Sequence, residues 1–186
     1  MDRVHDAHDV SIRELSPVEF ARLEEIDRTE EIRVGYRVAL GELERLDVDW
    51  DTPNWFPTGE EHSVSTLVDS LHELHGVGAT TLGAFDGDRL VGIVTWRPKL
   101  TNTMDQLAFL HVSAGYRRRG IASRLFERVE AVARKNGAVR FYVSATPSES
   151  AVGFYTSQGF ALTHTPHPEL LALEPEDIHM TKELTI

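Results

Sequence analysis

"GYRRRGIASRL", residues 115–125, sets three consecutive arginines before a glycine in a chain of 186 residues whose formal charge is −11. Behind it the apolar positions Ile121, Leu125, Val129 and Val132 mark one face of a long helix, which Asn136-Gly137 ends. Ahead of it "DQLAFLHV", residues 105–112, reads as a strand. A strand that feeds a donor-rich loop into a helix brings unpaired N–H groups and the positive end of the helix dipole to one point. That is an anion site, and phosphate is the usual anion. Gly120 lets a phosphate approach the main chain, Ala122 is small for the same reason, and Arg117, Arg118 and Arg119 add charge-assisted hydrogen bonds. A surface loop with solvated arginines carries the same triplet. The chain has no Gly-x-x-x-x-Gly-Lys-Ser/Thr, and no Gly-x-Gly-x-x-Gly between strand and helix, which disfavours a P-loop nucleotidase and a Rossmann dehydrogenase.

Working outward, "TTLGAF" and "RLVGIVTW" flank an Asp-Gly turn signal and form an antiparallel hairpin. Before them "SVSTLVDSLHELHG" has helical spacing and stops at Gly76. Residues 27–62 show weak periodicity, scattered aromatics and much acid, and read as an irregular excursion on the substrate side. "VSIREL" from Val10 alternates like a strand, and "SPVEFARLEEI" is an α-helix with Ser16 as N-cap and Pro17 at its first position. Toward the C-terminus "VRFYV" is a strand, "SESAVGFYTSQ" a short helix with Ser148 near its start, and "FALT" a strand. "HTPHPELLALEPED" follows as a proline-marked excursion, and "IHMTKEL" is the last strand. A meander of antiparallel strands followed by strand–helix–strand–helix–strand gives an α/β (α+β) fold, a mixed sheet with helices on its faces. One domain over residues 10–186 behind a flexible tail, residues 1–9, is the expected organisation.

Thirty acidic against nineteen basic residues argue against nonspecific nucleic-acid binding and favour a cationic ligand. The absence of cysteine excludes disulfides, thiolate metal sites and a covalent cysteine intermediate, and points to the cytoplasm. No signal peptide and no apolar run of spanning length is present, so no membrane role is expected. No metal is expected either. His5 and His8 with nearby aspartates match no known ligand spacing, and His72 and His75 lack a third ligand.

The stretch "LAFLHVSAGYRRRGIASRLFERVEAVARKNGAVRFYVSATPSESAVGFYTSQGF" resembles the core of the GNAT superfamily of acyl-CoA-dependent N-acyltransferases. Arg117, Gly120 and Ala122 match its pyrophosphate motif, Gln/Arg-x-x-Gly-x-Gly/Ala. Phe154-Tyr155 and Gly159-Phe160 match its second element at the customary interval. The resemblance implies a mostly antiparallel central sheet with helices on both faces, splayed between the strand at 105–112 and the strand at 139–143. It places coenzyme A on Arg117, Arg118, Arg119, Gly120, Ile121, Ala122 and Ser123 at the pyrophosphate. The pantetheine arm would lie along Leu110, His111 and Val112, and a free N–H near Val112 would polarise the thioester carbonyl. Ser148 stands where the family often has an Asn contacting pantetheine, and either replaces it or only caps the helix.

Tyr155 falls on the family's general-acid position, and a phenol with an ordinary pKa near ~10 is protonated at neutral pH. It is also suited to pack as an aromatic beside Phe154. The chain departs from the family pattern at the base, because Gln106 and Ala108 occupy the usual positions and neither takes a proton. His111, which alternation points away unless a bulge intervenes, and Glu30, Glu31, Glu60, Glu61 and His62 are the alternatives, beside a water chain or a neutral acceptor. Trp50, Trp55 and Phe56 either pack the long loop or wall the acceptor pocket. The resemblance implies an acetyl-CoA-dependent N-acetyltransferase acting directly on a primary amine of a small, cationic or amino-acid-like acceptor. Alternatives are a non-catalytic acyl-CoA sensor and a protein or peptide N-acetyltransferase. A homodimer is common in the family.

Overall fold

The computed structural model describes residues 10–184; the tail expected at residues 1–9 lies outside them. Among the described residues nine strands form: β1 (Val10–Glu14), β2 (Glu30–Ala39), β3 (Glu42–Thr52), β4 (Thr80–Asp86), β5 (Arg89–Arg97), β6 (Met104–Val112), β7 (Arg140–Ala145), β8 (Ala161–Leu162) and β9 (Ile178–Glu183). The α-helices are α1 (Val64–Gly76), α2 (Ile121–Lys135), α3 (Glu149–Ser157) and α4 (Pro168–Leu173). Seven strands join in the order β1-β4-β5-β6-β7-β9-β8, while β2 and β3 form a separate hairpin. Every pairing in the large sheet is antiparallel except β6 with β7. That one pair is short: only Met104–Gln106 of β6 face residues of β7, so the strands part beyond Gln106.

Each face of the sheet has its own core. On one, α2 buries Ile121, Leu125, Phe126, Val129 and Ala133 against Val91, Val94, Leu107, Phe141 and Val143. Val132, expected on that stripe, is 43% exposed, and Phe126 and Ala133 complete the stripe in its place. On the other face Phe20, Leu23 and Ile26 join Leu67 and Leu71 of α1 over Phe85, Leu90 and Ile93. Burying such a side chain fully is worth about 1.5–3 kcal/mol, so the two layers supply most of what holds the helices to the sheet.

Three expectations need correction. The segment after Ser16 is a 3-10 helix, Pro17–Glu25, not an α-helix. Phe20 and Leu23, with Ile26 just beyond, are buried at intervals of three, the period that stacks side chains along one edge of a 3-10 turn. Residues 27–62 are not irregular, since the β2–β3 hairpin fills most of them. Ile32, Val34, Tyr36 and Val38 do alternate, but the turn is made by Leu40 and Gly41, both at positive φ, and Leu40 carries no turn signal. The excursion near 168 contains α4, with Pro168 at its start and Leu170 buried.

Candidate active site

The loop from β6 into α2 runs through alternating backbone hands. Arg118 (φ 60°) and Gly120 (φ 76°) are left-handed, with Gly120 as the N-cap of α2 and no side chain capping the helix. Such alternation turns successive N–H groups toward one concavity, and those of the first turn, Ile121, Ala122 and Ser123, have no intrahelical acceptor. Space in front of Gly120 is open, because a Cβ built there meets nothing within 4 Å. Arg119 stacks over the Tyr116 ring at 5.2 Å, and the Tyr116 hydroxyl donates to Asp86 at 2.7 Å. Ser123 receives a long 3.5 Å contact from the Gln158 amide.

Arg117 is turned inward. Its guanidinium donates to the carbonyls of Val112 (3.0 Å), Thr29 (3.0 Å) and Arg28 (3.1 Å), and lies 3.7 Å from Glu30. The side chain therefore clamps the end of β6 to the root of the hairpin, leaving its main chain at the loop.

Ser113 N–H donates to Val91 on β5, so by alternation the main-chain groups of Leu110 and Val112 face away from β5, toward the widening gap before β7. Their side chains pack on the α2 core. Opposite Trp96 and Thr95 stand Leu107 and Phe109, which makes Ala108 the extra residue of a bulge. Phe109 then joins the core under α1, and His111, two residues on, shares its face. The bulge thus turns His111 toward the side from which alternation alone would exclude it. Burial, with the charges of Arg28 and Arg117 and with His62 nearby, holds the imidazole pKa down to about 3, so it is neutral and a weak base.

Tyr155, in α3, is 7% exposed, between the rings of Phe154 (5.3 Å) and Phe160 (5.4 Å). Its hydroxyl makes no hydrogen bond among the described residues, and burial first, then the charge of Asp177, pushes the phenol well above its ordinary pKa. It stays protonated. Ser148 is buried and caps α3, its Oγ accepting from Ala151 N–H at 3.3 Å. The hairpin lies over this helix start: Tyr36 N–H donates to the Pro147 carbonyl at 3.0 Å, and Gly35 bridges Ser148.

Of the other carboxylates considered, Glu30 is engaged by Arg117 and Glu31 by Arg33 at 3.4 Å. With Thr29, Asp51 and Thr52 these two line a depression at the hairpin root. Trp55 is a packing residue, its indole donating to the Ile26 carbonyl under the Arg28 guanidinium. Trp50 packs its ring beside Gly35. Asp177, just before β9, escaped the sequence reading because nothing in its neighbourhood in the chain links it to Tyr155. His72 and His75 pack on the Phe20 ring. No group of three or more metal-ligating side chains, and no helix long and apolar enough to cross a membrane, occurs among the described residues.

An open, uncapped helix start beside an unpaired strand edge is the architecture that the pyrophosphate motif implied, and the sequence model of the acetyltransferase (GNAT) family matches residues 45–160. The chain belongs to the GNAT acetyltransferase family. Solved structures share the GNAT fold over nearly its whole length. Nourseothricin acetyltransferase is 19% identical, with 95% of this chain and 99% of that chain covered at a TM-score of 0.71. PaiA N-acetyltransferase from Thermoplasma acidophilum, in complex with coenzyme A, is 18% identical over 94% and 98% at 0.61. The ribosomal-protein-S18-alanine N-acetyltransferase from Escherichia coli is 13% identical over 95% of each chain at 0.60. No curated protein matches the GNAT chain in sequence.

Proposed function

We propose that the protein is an acetyl-CoA-dependent N-acetyltransferase that acts on a primary amine of a small acceptor, and that residues 10–186 work as one domain. The observation that carries this reading is the left-handed, uncapped entry to α2 next to the β6 edge that β7 leaves free. The concavity at 117–123 takes the pyrophosphate, on main-chain N–H groups and the side chains of Arg118 and Arg119. The arm of the donor runs along Leu110 and Val112, whose outward main-chain groups stand in for the strand pairing that β7 does not give. A Val112 N–H aimed into the gap stabilises the oxyanion that forms as the amine attacks the thioester carbon. As the C–S bond breaks, Tyr155 gives its proton to the sulfur.

A hairpin laid over the start of α3 supports a small acceptor, since it covers part of the surface beside Ser148 that an open peptide groove would need. The net charge of −11 favours a cationic one. The absence of cysteine agrees with direct transfer, and the cytoplasm suits such a chain.

The test is calorimetric titration with acetyl-CoA, using ATP and NAD as controls. Saturable binding of acetyl-CoA alone is expected, and Gly120→Glu should abolish it by placing bulk and negative charge in the concavity. Binding unchanged in that variant would mean that the loop holds no pyrophosphate.

A further inference from the structure

We infer that Asp177 is the general base of the transfer reaction, a role that rests on the reading above and fills the gap left by Gln106 and Ala108. Ile178, the next residue, pairs with Ala145 at the last position of β7, where the sheet is splayed. Ile178, Ala145 and Tyr155 pack in one cluster. Asp177 therefore stands at the mouth of the gap, within electrostatic reach of Tyr155. Its N–H is tied to the Glu174 carbonyl at 3.2 Å, which fixes the turn, but its carboxyl makes no hydrogen bond or ion pair with any described residue. A half-buried carboxyl that no side chain engages and that keeps contact with solvent, beside the candidate acid, is placed to take a proton from an acceptor and pass it to water.

The electrostatics fit the task. Burial first, then the charge of Glu174, raises this carboxyl to about 7, so near neutral pH both of its forms are populated. Glu174, from the turn, is the charged group that acts on it, and the charge of Asp177 in turn raises Tyr155 on α3. The neighbouring His179 has both ring nitrogens engaged, by the Tyr142 hydroxyl and the Glu174 carbonyl. His111, held down to about 3, is far the weaker base.

The protons balance. An acceptor arriving as an ammonium gives one proton to Asp177, and the freed amine forms the C–N bond while the C–S bond breaks and Tyr155 protonates the sulfur. The second nitrogen proton restores the Tyr155 phenol, and Asp177 releases its proton to water.

Two measurements test the assignment. The first, a 13C NMR titration of the Asp177 carboxyl, needs no acceptor and should show a midpoint near 7; an ordinary carboxylate midpoint near ~4 overturns the proposal. The second follows CoA release with 1,4-diaminobutane and with glycinamide as probes. Asp177→Asn should lower kcat/KM about 100-fold and remove the limb that rises through pH 7, with acetyl-CoA affinity held within about twofold. Asp177→Glu should restore the limb in part. A limb that persists in Asp177→Asn, or a loss confined to KM, overturns the role as base. If the wild-type enzyme uses neither amine, the carboxyl titration decides alone. Failure of acetyl-CoA to bind, by contrast, would strike the underlying reading and not this residue.

Discussion

Tyr155 has a phenol buried among aromatic rings, with a carboxylate nearby and no hydrogen-bond partner among the described residues. Both influences favour the protonated form, which is the form a general acid must hold. Tyr155→Phe should therefore cut kcat by about 100-fold with acetyl-CoA affinity unchanged, in steady-state kinetics paired with calorimetry. A fully active Phe variant would remove the tyrosine from the acid role. At this scale the sequence was informative wherever a residue's task is local. Ser148 had a helix to cap and does so, while the left-handed backbone of Gly120 goes beyond the close approach read for it. Arg117 was only half legible, because the carbonyls that take its guanidinium include two that lie 88 and 89 residues away in the chain.

Among the elements, the hairpin is the largest that position-by-position reading missed, beside the short helix α4. Its strands alternate, but acid-rich flanks and a turn at Leu40-Gly41 hid the pattern. Its dock depends on Gly35, where an added Cβ would lie 2.8 Å from the Trp50 ring and 3.3 Å from the Pro147 carbonyl. Gly35→Val should cost about 1–3 kcal/mol by overpacking and raise KM for the acceptor more than for acetyl-CoA. Trp50 fluorescence should shift to the red as the ring leaves Gly35; an unchanged spectrum and KM would mean that the hairpin does not roof the site. The bulge at Ala108 was equally hidden. One inserted residue reverses the face of everything after it, and no residue type in "LAFLHV" announces it.

For the molecule as a whole, His111 and Asp177 make stability respond to pH in opposite senses, since the folded state lowers the pKa of the first and raises that of the second. The folded-state pKa of His111, about 3, lies below the ordinary ~6.5, so the unfolded chain takes up the proton first. Stability from keeping this ring neutral is complete above pH 6.5 and drains away as pH falls toward 3. His111→Gln should lose about 1–2 kcal/mol less than the wild type between pH 8 and pH 5, as followed by urea denaturation at the two pH values. Equal losses would show that the ring is solvated in the native state. The fold class was legible because hairpin turns, helix caps and the order of elements are all written locally. That the sheet parts between the strands at 105–112 and 139–143 was expected from the family resemblance; the residue at which the parting begins, Gln106, was not legible, since it depends on which residues of β6 find partners on β7, a relation between segments more than thirty positions apart.

That parting also has a mechanical side. Three residue pairs join two half-sheets at one end, and the groups proposed to take part in the transfer sit near the other. From Gln106 to Val112 the free arm is about 20 Å long, so a rotation of about 5° at the joint displaces its tip by nearly ~2 Å. Displacements of that size alter rates by orders of magnitude. Asp105, whose carboxylate holds the Trp96 indole at 2.8 Å and the Lys99 N–H at 2.9 Å, sits at the fulcrum. The long arm makes the stiffness of that buried corner, remote from any bond being made or broken, the setting that decides how wide the jaws stand.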